Sequence, residues 1–474
     1  MLRTIILKEA RDLLSTAKFA STFGVAAVLI LLSFYVGAKN HQLAQAQHQA
    51  SLAENVRQME GLTDWFALEQ YRIFLPPKPL EALVTGVSND IGRTAEVKSR
   101  GEIAAEDSRY NEDPVFAVFR FLDLGFIFQI VLSLFAILLG YDAICGEKER
   151  GTLRLTFANA VPRATYILGK LVGSFATLAV TLIVPMALGC LLLPLMGVHL
   201  AGEEWVRLGL ILLVGLLYFG AFLALSVFVS ALTHRTSSAF LILLVAWIAS
   251  ALIIPHTAVL LAGRAVEVPS VDEISAQKAT FARQLWTEYR EGMKSFSAPE
   301  GADQDDIEAL MAHFNQYMDS LTAIRDEKMN EFAGRLNEDR HNRQAVQERV
   351  AFSLARLSPT ASLSLATTAL AGTGLELKNR FRVEATRYRQ TFNEFMKEKT
   401  GMNVGGRMIM WKQSDEEEEE PEQIDAEEIP AFEYRTASLA DSLTAALPDL
   451  GILALFNFLF FLGAFVAFSR YDLR

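Results

Sequence analysis

The densest run of chemically capable side chains is Glu147-Lys148-Glu149-Arg150, followed at once by Gly151, Thr152 and Leu153. A mixed-charge cluster of this kind suits the docking of another protein. Gly151 and Thr152 can end or cap a turn, and Leu153, Leu155 and Phe157 supply an apolar strip. Pro162 then breaks the chain before Arg163, Gly169 and Lys170 lead into the next apolar run. A short helix lying across a membrane face here would carry force from a bound protein into the flanking spans; an ordinary charged loop with anchors has the same composition. The start of the chain is the second candidate. Leu2, Ile5, Ile6, Leu13 and Leu14 fall on one helical face, with Lys8, Glu9, Arg11 and Asp12 on the polar one. That pattern predicts an amphipathic helix along the inner membrane surface, with a simple membrane anchor as the alternative.

Catalytic constellations are missing from the sequence. It has no Walker A phosphate loop, no H-E-x-x-H zinc pair and no G-x-S-x-G nucleophile turn. Its seven histidines lack metal-ligand spacing. No resident cofactor or metal is expected.

These residues sit in a chain of 474 residues with net charge −11, in which long apolar runs alternate with charge-dense stretches. Segregation in blocks of about 20 residues marks a bilayer-spanning protein, not a set of soluble domains. Two cysteines exclude a disulfide scaffold, and the acidic balance argues against nucleic acid as a partner. Six runs qualify as spans: 19–38, 118–140, 171–198, 208–232, 239–262 and 447–468. Lys and Arg in the short segments orient them. Arg3, Lys8, Arg11 and Lys18, then Lys148, Arg150, Arg154 and Arg163, then Arg235, then Arg470 and Arg474 all fall on one side. By the positive-inside rule that side is the cytoplasm, with both termini on it. The expected class is an all-α polytopic membrane protein with two outer insertions, 39–117 and 263–446. Val36-Gly37-Ala38 resembles a signal-peptidase site, but the apolar run before it is too long for an ordinary signal sequence.

The middles of spans one, three, four and five carry no ionisable residue, and Asp449 lies near the end of span six. An ion-coupled carrier needs such groups along its route, so energy is expected from a partner. In the larger insertion, Val271, Ile274, Phe281, Leu285, Tyr289 and Met293, then Ile307, Leu310, Phe314, Met318, Leu321 and Ile324, recur at helical spacing. Ser297–Gly301 separates them, which predicts a helical hairpin, either a solvated spacer or a surface for an outer partner. Residues 361–374 are small and weakly apolar and predict an element lying at the outer interface. The acidic run 415–420, within a linker 415–428, predicts a solvated segment. The smaller insertion shows turn signals at Pro76-Pro77-Lys78-Pro79, Gly86 and Gly92.

The order E-K-E-R-G-T-L, then V-P-R, then L-G-K resembles the signature of type-2 ABC (ATP-binding cassette) transporter permeases. The resemblance is strong over 1–38 and 118–262 and weaker elsewhere; the large insertions, with Pro359 and Gly372-Thr373-Gly374, resemble a subgroup with big extracytoplasmic domains. It implies an amino-terminal elbow helix over 1–18, a coupling loop over 142–170, spans three to five over 171–262 and a short tail at 469–474. It also implies a membrane permease of the cell membrane, two such chains or a paired homologue enclosing an export pathway, and separate ATPase subunits that bind ATP and dock below. Glu147, Lys148, Glu149 and Arg150 would contact the ATPase, Gly151–Leu155 would form the coupling helix, and Arg11 would make a second contact. Pro162, Arg163, Gly169 and Lys170 would complete the coupling element, and spans two and five would tilt. A membrane-anchored sensor or scaffold, its outer helices binding a ligand, is the rival reading; a large cytoplasmic output domain would mark it, and none is visible.

Overall fold

The computed structural model describes residues 1–63, 65, 68, 70–98, 105–106, 123–158, 161–297, 307–400 and 424–471. Helix α1 (Leu2–Leu14) stops at Ser15, and Thr16 starts the next by accepting a hydrogen bond from Phe19 N at 3.2 Å. That helix, α2 (Ala17–Met59), does not end where its apolar run ends. Residues 39–59 contain no proline or glycine, so α2 continues for about 65 Å in all, roughly twice the hydrocarbon thickness. The other spans are α3 (residues 124–140), α6 (Arg163–Leu195), α7 (Gly202–Leu232), α8 (Thr236–Ala265) and α13 (Leu439–Ser469). Between α3 and α6 lie two short helices, α4 (Cys145–Glu149) and α5 (Thr152–Ala158). Among the described residues six helices are long and apolar enough to cross a bilayer, as the hydropathy reading requires. The residues expected to open span two at 118–122, the acidic run 415–420 and the tail 472–474 lie outside the described residues.

The chain forms two compact units, 1–255 with 356–474, and 256–355. In the first, α7 is the central helix. It packs on α13 and α6 at small residues: Gly220 lies against Asn457 of α13 and Phe175 of α6, and Gly463 of α13 against Phe228. Close backbone approach of this kind is how membrane helices gain packing energy when lipid already satisfies their apolar faces.

Helix α11 (Pro359–Ala371) corrects an expectation. Its weak hydropathy predicts an interfacial element, yet Leu363, Ala366 and Leu370 are buried, and the helix packs on α7 and α13. Small side chains let it enter the bundle, where a large-residue helix would not fit. It lies antiparallel to α7: Thr360 reaches Tyr218, and the Leu370 carbonyl accepts from Arg207 at 3.1 Å. Arg356, just before it, holds Asp449 of α13 through two bonds of 2.8 and 2.9 Å.

The smaller insertion holds more than turns. Strands β1 (Gln70–Phe74), β2 (Thr94–Lys98) and β3 (Ala105–Glu106) pair antiparallel in that order. Ile73, Ala95 and Val97 alternate inward and pack with Phe381, Tyr388 and Phe392 of α12 (Glu376–Thr400), so the two insertions share one core. Lys78 is mostly buried there beside the Tyr434 ring, at 5.1 Å. Burial, with Arg380, Arg207 and Arg93 nearby, outweighs Glu81 and brings its ammonium down to about 8.

In the second unit, α9 (Val271–Lys294) and α10 (Ile307–Ala355) form a hairpin. Phe281 stacks on Phe332 with centroids 4.1 Å apart. Lys278, which interrupts the apolar stripe, is accommodated by a 3.1 Å bond to Asn337. Cys145 and Cys190 are both free.

Candidate coupling site

Helix α1 packs on the first turns of α6 because α6 offers a groove there. Gly169 and Gly173 stand four residues apart; a Cβ on the first would come within 2.6 Å of Ile5, and on the second within 3.1 Å of Glu9. Between them Lys170 points into the contact. Its ammonium lies 2.8 Å from Glu9 and 2.8 Å from Glu147. The Tyr166 hydroxyl donates to Glu147 at 2.6 Å, and Ser174 donates to Glu9 at 3.3 Å. Lys8, at the exposed edge, stands 3.6 Å from Glu147. One buried cation thus joins the amino-terminal helix, the charge cluster below α3 and the base of α6. Glu9, assigned to the polar face by periodicity, is buried. Its burial is tolerable only because a full charge and a hydroxyl meet it; unpaired, a buried carboxylate costs several kcal/mol.

The four-residue cluster splits. Glu147 faces inward to Lys170. Lys148 caps the end of α7, donating to the Thr233 carbonyl at 2.9 Å and to that of Ala231, where the helix dipole favours a cation. Both are therefore committed within the chain, which corrects the reading of all four as docking contacts. Glu149 and Arg150 remain exposed; Glu149 accepts from Thr236 at 2.9 Å, and Arg150 donates to the Gly146 carbonyl at 3.0 Å.

Gly151, at φ +73°, lets the chain turn sharply from α4 into α5. On α5, Leu153 is buried with Ile144, Ile167 and Phe468, while Leu155 is 70% exposed. Thr152 is exposed, and Pro162 precedes α6 with Arg163 bonded to the Ser469 carbonyl at the end of α13. Ser230 of α7 accepts from the backbone of Ile144 and Cys145 at 3.0 and 2.9 Å, which fixes the start of α4. Arg11 is exposed on α1. The arrangement is a rigid corner with a charged and apolar outer strip, and among the described residues no metal-holding cluster accompanies it.

Tyr166, Glu9, Ser174 and Ser230 escaped the sequence reading. The spacing Gly169-x-x-x-Gly173 was the available signal for the first three, since it marks a close helix contact.

A profile for the family described as ABC-2 family transporter protein matches residues 3–473. The chain belongs to this family. A probable ABC transporter permease protein, NosY, from Stutzerimonas stutzeri is 33% identical over 118 residues, 24% of this chain. The match spans 42% of that relative's length. As an ABC-2 family member the chain is matched across both of its units.

Proposed function

We propose that the chain is the permease subunit of an ABC transporter, pairing with a second permease chain and moved by a separate ATPase that docks on Glu149, Arg150 and the α5 strip. The observation that carries this reading is the Lys170 junction. A docked protein pushing on α4 and α5 shifts Glu147, and through Lys170 the base of α6 and α1 must follow. The outer strip is short, mixed in charge and capped by Leu155, which suits a shallow groove on a soluble partner. Family membership and the NosY relative support the same assignment. The ATP chemistry belongs to the partner, and this chain supplies the moving pathway.

The test is reconstitution in vesicles with the ATPase that co-purifies. Wild-type chain raises the ATPase rate above that of the soluble subunit, and E149K with L155D abolishes the rise. Full stimulation by the double variant would remove the docking assignment. Hydrolysis by the chain alone would remove the division of labour.

A further inference from the structure

Spans two and five each contain one wide π turn, Ile127–Leu132 in α3 and Ala249–Ile253 in α8. In α8 the cause is in the sequence. Ile254 N bonds to the Ala249 carbonyl, and Pro255, the next residue, has no N–H to offer the Ser250 carbonyl in the same wide register. The Ser358 hydroxyl donates to that carbonyl at 2.6 Å. In α3, Ser133 N turns to the Ile130 carbonyl, and the Gln129 carbonyl accepts instead from the hydroxyls of Tyr218 at 3.0 Å and Ser133 at 2.7 Å.

The two surrogate donors are linked. Tyr218 and Thr360 hydroxyls lie 3.0 Å apart, Thr360 and Ser250 3.3 Å, and Ser250 and Ser358 3.1 Å. With Tyr218 donating to Gln129 and Ser358 to the Ser250 carbonyl, Thr360 donates to Tyr218 and Ser250 to Thr360. Trp247 of α8 also donates to Ser133 of α3 at 2.8 Å. Counted along each helix, Gln129, Tyr218 and Ser250 stand about 16–21 Å from the cytoplasmic ends, inside the hydrocarbon layer. Two weakened points on two spans therefore lie level, and the tip between α10 and α11 repairs both.

We propose that the Ser358-Pro359-Thr360 tip is a hydroxyl latch that holds the two wide turns in register and makes them bend together. A π turn is a natural bending point because its backbone bonds are already rearranged. Neutral hydroxyls suit a joint that must open and close, since each can exchange partners without exposing a buried charge. The latch rests on the permease reading only for what drives it; the joint itself stands on the geometry.

Hydrogen–deuterium exchange on the full chain in lipid nanodiscs tests it. Thr360→Val should speed exchange about tenfold at residues 127–133 and 249–254 together, leaving α6 at its wild-type rate. Thr360→Ser should restore the wild-type rate. Unchanged exchange in either segment would overturn the latch. If Thr360→Val loosens the whole chain, Tyr218→Phe, which removes one oxygen and keeps the ring, replaces it: faster exchange at 127–133 supports the latch and an unchanged rate overturns it. With the ATPase trapped by ATP and vanadate, both wild-type segments should speed up together. A coupled ATPase that leaves them unmoved would also overturn the proposal, whereas failure to bind any ATPase would sink the permease reading alone.

Discussion

The corner where α1, α4 and α6 meet and the middle of the bundle both tie distant parts of the chain together, with opposite chemistry. At the corner, Lys170 is shared between Glu9 and Glu147, charges buried away from water. In the middle, Tyr218, Thr360, Ser250 and Ser358 pass neutral hydrogen bonds between backbone carbonyls. A buried ion triad is costly to pull apart, because each separated charge loses solvation it does not regain. A hydroxyl chain is cheap to rearrange. The corner is built to move as one piece, and the middle is built to give.

Breaking the corner should therefore have the largest effect. Lys170→Met leaves buried Glu9 without a cation and Glu147 with only the exposed Lys8, and should lower stability by about 3–5 kcal/mol, read from thermal unfolding in detergent. Combining it with Glu9→Gln and Glu147→Gln should recover much of that loss. A single variant that melts like wild type would mean the corner is wet and loose. Arg356→Met comes next: it strands Asp449, which is almost fully buried, and should cost about 2–4 kcal/mol by the same assay. Thr360→Val in the middle should cost only about 1 kcal/mol while changing local exchange, and a loss as large as the Lys170 variant's would erase the contrast.

A pH-dependent test in the core shared by β1, β2 and α12 sharpens the comparison between a cation held by two carboxylates and one crowded by other cations. The ammonium of Lys78 is held at about 8, below its ordinary value, so the folded chain binds fewer protons there than the unfolded one. Stability should then rise as pH climbs from about 8 towards 10, and Lys78→Met should flatten that rise, measured by melting temperature across pH.

How much of this was legible beforehand follows from range in sequence. The spans, the amphipathic start and the charged turn at 147–153 are local patterns, and each was readable. Glu9 was not, because its period places it on the polar face and its partner lies at Lys170. The sheet was hidden because β1 and β2 are five residues each, too short for alternation to stand out from turns. For α11, low hydropathy suggested an interface; what decides its place is side-chain size, which lets Ala366 and Ala371 pack closely. Pro255 was a visible signal for the wide turn in α8, but its repair by Ser358 required the fold.

The central claim is that force enters at α4 and α5 from a separate ATPase and passes through the Lys170 corner. The most direct measurement is ATP hydrolysis by reconstituted complexes carrying E149K with L155D, alongside their melting temperatures. The account predicts unstimulated hydrolysis with melting within about a degree of wild type, because both side chains face outward. Stimulated hydrolysis at the wild-type rate, in a complex that melts normally, would contradict it.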